Sequence, residues 1–221
     1  ISYKTLFGKF DPNRISGTFQ KFEDYRQIIS QRLGVANKYN TGVPIGADGY
    51  AYGYNRYATD VLVPAFVAAY SGQDPKKVSL IDQRNPNIRS NPYKGFIPKP
   101  NWKLDYTGLS RIKGLDKIFT NITFSHAYNG SLSMNGFTSA LFYADSSRYG
   151  YPSFYDTISK NYIPYFLVPN ITITEQFAPL VGIDVMFTNQ LQFKIDYTKQ
   201  RTLSLSLIDF QLSETRSTEF A

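Results

Sequence analysis

Few side chains in this sequence are of a type and spacing that could do chemistry. His126 is the only histidine and there is no cysteine, which excludes paired-histidine and thiolate metal sites and leaves neither disulfide nor reactive thiol. His126 could in principle act as a general base. It sits instead on the aromatic face of an alternating strand pattern, where a hydrogen-bonded structural or interface role is expected. Carboxylates number 17, and the nearest pairs, Glu23 with Asp24 and Glu214 with Glu219, lack acid/base spacing; a glycosidase pair could arise only if the fold brought distant residues together. Glycines stand singly in loops, without a phosphate-cradling pattern. Asn121, Asn129 and Asn170 open Asn-x-Ser/Thr triplets, which a chain this rich in Asn, Ser and Thr produces by chance. The expectation is a protein with no catalytic residues, no cofactor and no metal.

The formal charge of +7 comes from 24 basic and 17 acidic residues, and the pI is near 9.4. Such a balance can signal nucleic acid or an anionic surface. Here the basic residues are dispersed, Lys76-Lys77 being the longest run, so solvated or lumen-facing charge is expected and nucleic acid is not. Aromatics make up 16% of the chain, with 18 Tyr and 17 Phe, yet mean hydropathy is −0.31. Many rings with little net apolarity suit strands that put apolar residues toward lipid, polar ones toward a lumen and aromatics at both interfaces. An aromatic-rich soluble β-sandwich has the same composition. No run approaches the ~18–20 apolar residues of a membrane-spanning helix. The chain opens Ile1-Ser2-Tyr3 without an initiator Met, and reads as an excerpt of something longer.

The elements divide near residue 100. Phe19, Phe22, Tyr25, Ile28, Ile29 and Leu33 recur at helical spacing over 18–33, with Ser16 or Thr18 to cap the start and Gly34 the end. A second helix fits 60–71, capped by Thr59 or Asp60, with Pro64 in its first turn and Gly72 after it. Between them lies a Tyr- and Gly-rich loop, Gly42 to Tyr57, and a proline-rich stretch follows from Asn85 to Pro100. Residues 1–100 thus read as a helix-and-loop half and 101–221 as a half of antiparallel strands.

From Trp102 the period is two. Trp102, Leu104 and Tyr106 alternate with polar residues, as do Ile122, Phe124, His126 and Tyr128 after a helical turn at 110–119. Val181, Ile183, Val185 and Phe187 form one apolar face, the link Thr188-Asn189-Gln190 follows, and Leu191, Phe193, Ile195 and Tyr197 then alternate with Gln192, Lys194 and Asp196. That predicts an antiparallel hairpin. After a polar link at 198–202, Leu203, Leu205 and Leu207 alternate with Ser204 and Ser206. The parity slips at Ile208, Phe210 and Leu212, which predicts a β-bulge near Leu207–Ile208 or a strand leaving the membrane. In a barrel Val181, Ile183, Val185, Phe187, Leu191, Phe193, Ile195, Tyr197, Leu203, Leu205 and Leu207 face lipid, because Lys194 and Asp196 would be costly there; Gln192, Lys194, Asp196, Ser204 and Ser206 face the lumen. In a sandwich the same apolar face points inward, and periodicity does not separate the two.

Ordered landmarks add to this pattern. Ala47-Asp48-Gly49-Tyr50, the run Asp60 to Gly72 (DVLVPAFVAAYSG), Pro100-Asn101-Trp102 with Tyr106-Thr107-Gly108-Leu109-Ser110, Thr123-Phe124-Ser125-His126-Ala127-Tyr128, the run Ile173 to Asp184 (ITEQFAPLVGID) and Leu203-Ser204-Leu205-Ser206-Leu207 on to Glu214 resemble the SprA/Sov family over roughly residues 19–220. The resemblance implies a fold dominated by β-structure, in which antiparallel strands of residues 101–221 form a segment of a very large transmembrane β-barrel and residues 1–100 form an insertion in its lumen or at a mouth. It further implies the outer-membrane translocon of type IX secretion in Bacteroidota-type bacteria, a channel that exports folded proteins and gliding-motility adhesins to the cell surface. Implied partners are the remainder of the barrel, a plug subunit, a smaller outer-membrane barrel protein, secreted cargo and membrane lipid. Two alternatives stay open: a soluble, aromatic-rich β-sandwich binding surface glycans on Tyr50, Tyr52, Tyr54 and Trp102, and a different barrel such as a porin or nutrient receptor.

Overall fold

The computed structural model describes residues 6–8, 11, 13–42, 45–81, 100–136 and 138–221. The expected proline-rich stretch from Asn85 falls outside the described residues up to its last member, Pro100. Two compact units interleave along the chain. One takes residues 1–97, 133–171 and 205–212; the other takes 98–132, 172–204 and 213–221. Two segments beyond residue 100 thus group with the helices.

In the helical unit, α1 spans Gly17–Ala36. Ser16 caps it, its Oγ accepting the Phe19 N–H at 3.1 Å, which satisfies one of the donors a helix start leaves open. Phe22, Ile29, Ser30 and Leu33 are its buried side chains, all on one stripe. The helix runs past Gly34 and closes at Asn37, whose N–H reaches the Leu33 carbonyl. Gly34 has another reason to lack a side chain: a Cβ there would come within 2.5 Å of the Ala51 Cβ. The Tyr-rich loop lies along this helix, held by Ser30, whose Oγ accepts the Ala51 N–H and donates to the Tyr54 carbonyl.

Helix α2, Thr59–Ser71, buries every residue from Asp60 to Tyr70. A helix apolar all round belongs at the centre of its unit. It begins after Ala58, which has no side chain able to cap, and Pro64 lies inside the helix beyond its first turn. Gly72, at φ +70°, ends it in the left-handed conformation that glycine adopts without strain. Phe22 of α1 meets Phe66 of α2 edge to face at 6.2 Å.

The other segments of this unit form two short antiparallel pairs, β3 (Thr138–Ser139) with β6 (Phe166–Leu167) and β4 (Tyr155–Asp156) with β5 (Asn161–Tyr162). Rings stack between loops, as Tyr52 does on Tyr155 at 4.5 Å. Asn37 ties α1 to this region, donating to the Tyr54 hydroxyl and the Pro152 carbonyl.

The long strands are β1 (Trp102–Tyr106), β2 (Phe119–Asn135), β7 (Asn170–Phe187), β8 (Gln192–Ser206) and β9 (Gln211–Phe220). They form one sheet in the order β1-β2-β7-β8-β9. β1 and β2 are antiparallel, with Trp102 opposite Tyr128 and Tyr106 opposite Phe124. A tight turn at 188–190 joins β7 to β8, with the Phe187 N–H on the Leu191 carbonyl at 2.8 Å. Asp196 and Ala221 exchange both backbone hydrogen bonds, at 2.9 and 3.0 Å, which marks β8 and β9 as antiparallel.

Two expectations are corrected here. Residues 198–202 are strand, so β8 runs unbroken through the expected polar link. The parity slip at Leu207–Ile208 is a hairpin turn over 207–210, not a bulge: the Asp209 N–H bonds to Ser206 Oγ and Phe210 takes φ +54°. A turn residue in the left-handed region reverses the chain and resets which residues face which side.

Candidate lipid-facing surface

The β7–β8 hairpin has two chemically distinct faces. On one, Val181, Ile183, Val185 and Phe187 stand with Leu191, Phe193, Ile195 and Tyr197. Val181, Ile183, Leu191, Phe193 and Ile195 are 40, 38, 60, 53 and 40% exposed. Leaving a residue of this size in water forgoes about 1.5–3 kcal/mol, and a contiguous apolar patch marks an interaction surface. On the opposite face Gln192 donates to Asp184 at 2.9 Å and Lys194 pairs with Asp196 at 2.8 Å. A Cβ on Gly182 would meet the Asp196 carboxylate at 2.7 Å, placing Gly182 on that polar face too. The division continues on β1, whose Lys103 and Asp105 pair at 2.9 Å, with Ser125 of β2 donating to Asp105.

Aromatic rings gather toward each end of the apolar face. Trp102 stacks on Tyr128 at 4.6 Å, and Phe177 lies 4.9 Å from Tyr128 and 6.3 Å from Trp102. Tyr197 stacks on Phe220 at 4.5 Å. Near the 188–190 turn Phe119 and Phe187 meet at 5.0 Å. His126 lies 5.5 Å from the Phe177 ring, with Nδ1 2.7 Å from the Leu180 carbonyl oxygen; Nδ1 carries the proton in that contact, as a carbonyl only accepts.

Along the same strands lies an ionic cluster that sequence reasoning missed. Tyr128 donates to Glu175 Oε1 at 3.1 Å, Arg201 Nη2 binds Glu175 Oε2, and Arg216 Nε donates to Glu214 Oε1 at 2.7 Å. Arg201 Nη1 is 3.9 Å from Glu214. The Glu175 and Arg201 side chains are 0 and 1% exposed. The cluster thus ties β2, β7, β8 and β9 together. Taking such charges out of water costs several kcal/mol each, offset only while partners and geometry hold. A signal existed in the sequence: Arg201 has the same parity as Leu203, Leu205 and Leu207, a charge on an otherwise apolar face.

The residues expected to face lipid separate by environment. Those of 181–197 include the exposed apolar set just described. Leu203, Leu205 and Leu207 are 0, 2 and 8% exposed, and Leu205 borders a cleft with Phe19, Phe22 and Leu62, so protein covers them in this chain. Of the residues expected toward a lumen, Gln192, Lys194 and Asp196 share the polar face, Ser204 is partly buried, and Ser206 donates to Asp209 in the 207–210 turn. Of the proposed glycan platforms, Tyr50 and Tyr54 are 6 and 1% exposed, while Tyr52 and Trp102 already stack on other rings.

Among the described residues no group of three His, Asp or Glu could hold a metal, and no helix is long and apolar enough to cross a membrane. The fold and this surface define an antiparallel β-sheet protein whose longest hairpin is amphipathic. No protein-family model and no curated protein matches the sequence.

Proposed function

We propose that this chain is part of the wall of an outer-membrane, protein-conducting β-barrel of the SprA/Sov kind, serving type IX secretion of folded proteins and gliding adhesins. One observation carries the reading: exposed apolar residues alternate along β7 and β8 on one face, with paired carboxylates, Lys194 and Gln192 on the other. Lipid outside and water inside are the two solvents that reward this arrangement. At 18 and 15 residues, the hairpin strands exceed the ~9–11 needed to cross a hydrocarbon core at a tilt. Among the described residues β1 and β9 stand at the two ends of the sheet, where further strands of the same barrel would continue it, since an open edge is not tolerated in lipid. The ordered family landmarks supply the translocon part of the reading, together with a plug subunit and a smaller barrel partner. Selectivity then comes from pore shape and lining, and no reaction is catalysed.

Two measurements on the full-length protein test this. Spin labels at Leu191, Phe193 and Ile195 report lipid; water at all three would end the wall assignment. A photo-crosslinking residue at Lys194, on the polar face, captures secreted cargo in cells, whereas one at Phe193 does not. Cargo captured from neither face would reject the conducting role.

A further inference from the structure

Away from the sheet, the helical unit holds a pocket in which apolar rings meet two arginines. We propose that it binds a small aromatic carboxylate, the ligand's ring lying among Phe22, Tyr57 and Phe210 and its carboxylate on Arg26 and Arg56. Every residue lining the pocket falls within 1–97 and 205–212, so the proposal is independent of the barrel-wall reading.

The pocket has a volume of about 450 Å³, inside the ~300–1,000 Å³ range of small-molecule sites. Its floor is Phe22 of α1, Leu62 of α2 and Leu205, which are 3, 3 and 2% exposed. Packing therefore fixes the floor before any ligand arrives. Tyr57 and Phe210 also line it, half exposed, with ring centroids 4.9 Å apart. Exposed rings over an apolar floor suit a third ring, which can meet their faces or edges.

The charges decide which ring-bearing ligand fits. Arg26 Cζ lies 5.1 Å from the centre of the Phe22 ring, and Arg56 Cζ lies 5.5 Å from that of Tyr50. Stacking occupies the flat face of a guanidinium, while its N–H donors radiate in the plane and stay open to an acceptor. Arg26 Nη2 donates to Glu23 at 3.0 Å, yet its Nε is buried without a hydrogen-bond partner among the described residues. Arg56 pairs with no carboxylate among the described residues. Glu23 is the one carboxylate lining the pocket, and its side chain is 46% exposed. Two cations against one carboxylate leave a single positive charge in excess, which a monoanion neutralises. A carboxylate matches the guanidinium fork with its two oxygens. An amine would be repelled, and a neutral ring would leave the guanidinium donors unanswered.

The test uses the full-length protein in phosphatidylcholine nanodiscs, dialysed against 2-naphthoate, with empty nanodiscs giving the lipid background. Saturable one-to-one binding is expected, and 2-naphthalenemethanol, the same ring without charge, should bind about tenfold more weakly, as loss of a charge-assisted hydrogen bond predicts. Two exposed side chains give opposite expectations. Arg56→Gln should weaken naphthoate about tenfold, and Glu23→Gln, which releases Arg26 Nη2, should tighten it about threefold. Damage to the fold would not tighten binding, so Glu23→Gln decides the matter even if Arg56→Gln fails to fold. Equal binding of the acid and the alcohol would overturn the proposal. So would an affinity unchanged in folded Arg56→Gln, no tightening in Glu23→Gln, or no saturable binding at millimolar naphthoate.

Discussion

At the scale of single residues, the helical unit depends on groups that the loops bring to fixed points. Asp145 accepts from the Tyr39 hydroxyl at 2.6 Å and from the N–H groups of Tyr149 and Gly150 at 2.9 and 2.8 Å. Burial pushes its carboxyl pKa upward, but these hydrogen bonds together outweigh burial and hold it below the ordinary 3.8. A depressed carboxyl pKa contributes stability above the unfolded value and loses it as pH falls through the folded one. Asp145→Asn should therefore cost about 1–2 kcal/mol at pH 7 and progressively less below pH 3.8, read by limited proteolysis of the 140–152 loop at both pH values. Gly53 is constrained twice, by φ +75° and by the Tyr162 ring, 2.3 Å from where a Cβ would stand. Gly53→Ala should destabilise this unit by about 2–3 kcal/mol, seen as a lower midpoint in urea.

At the scale of elements, the ionic cluster tests whether the strands hold their register through charge. Arg201 has Glu175 on one side and Glu214 on the other, so a slip of one residue in β8 would carry it to the other face and leave the buried Glu175 without its cation, while Glu214 keeps Arg216. Arg201→Met should cost about 3–5 kcal/mol, because it leaves Glu175 buried without its cation. Pairing that change with Glu175→Leu should restore much of the loss, since an apolar pair of similar volume tolerates burial. The temperature at which the folded band disappears on a heat-modifiable gel separates the two variants. Equal temperatures would mean the carboxylate finds another partner.

For the whole molecule, the two faces of the hairpin predict opposite tolerance at adjacent positions. In the proposed barrel wall, Ile195→Arg should lower assembly into the outer membrane through a cost of up to about 2–4 kcal/mol, the value at the bilayer midplane, while Lys194→Gln should assemble normally. The amount of folded protein in outer-membrane fractions measures both. Equal loss from the two would mean both faces contact protein, as in a sandwich. The interleaving of the two units adds a constraint on dissection: residues 133–171 and 205–212 belong with the helices, so cutting at residue 100 would divide the helical unit and expose Leu205 and Leu207.

Local patterns made most elements legible. Apolar spacing set both helices to within three residues of their ends, and alternation set the β7–β8 hairpin and its turn, because these features depend on neighbours a few residues away. The missed features depend on distant ones. Gly34 read as a helix stop because its real constraint, the Ala51 Cβ, arrives from another segment. The stretch 198–202 read as a polar link because the partners of Arg201 lie 26 residues before it and 13 after it. The 207–210 turn read as a bulge or as a strand leaving the membrane because parity alone records a change of face, not a reversal of direction. Sequence by itself determined which residues are apolar together and at what period. Only the tertiary structure decided that the same parity on β8 is exposed at Phe193 and Ile195 yet buried at Leu203 and Leu205, since periodicity specifies a face and packing specifies what covers it.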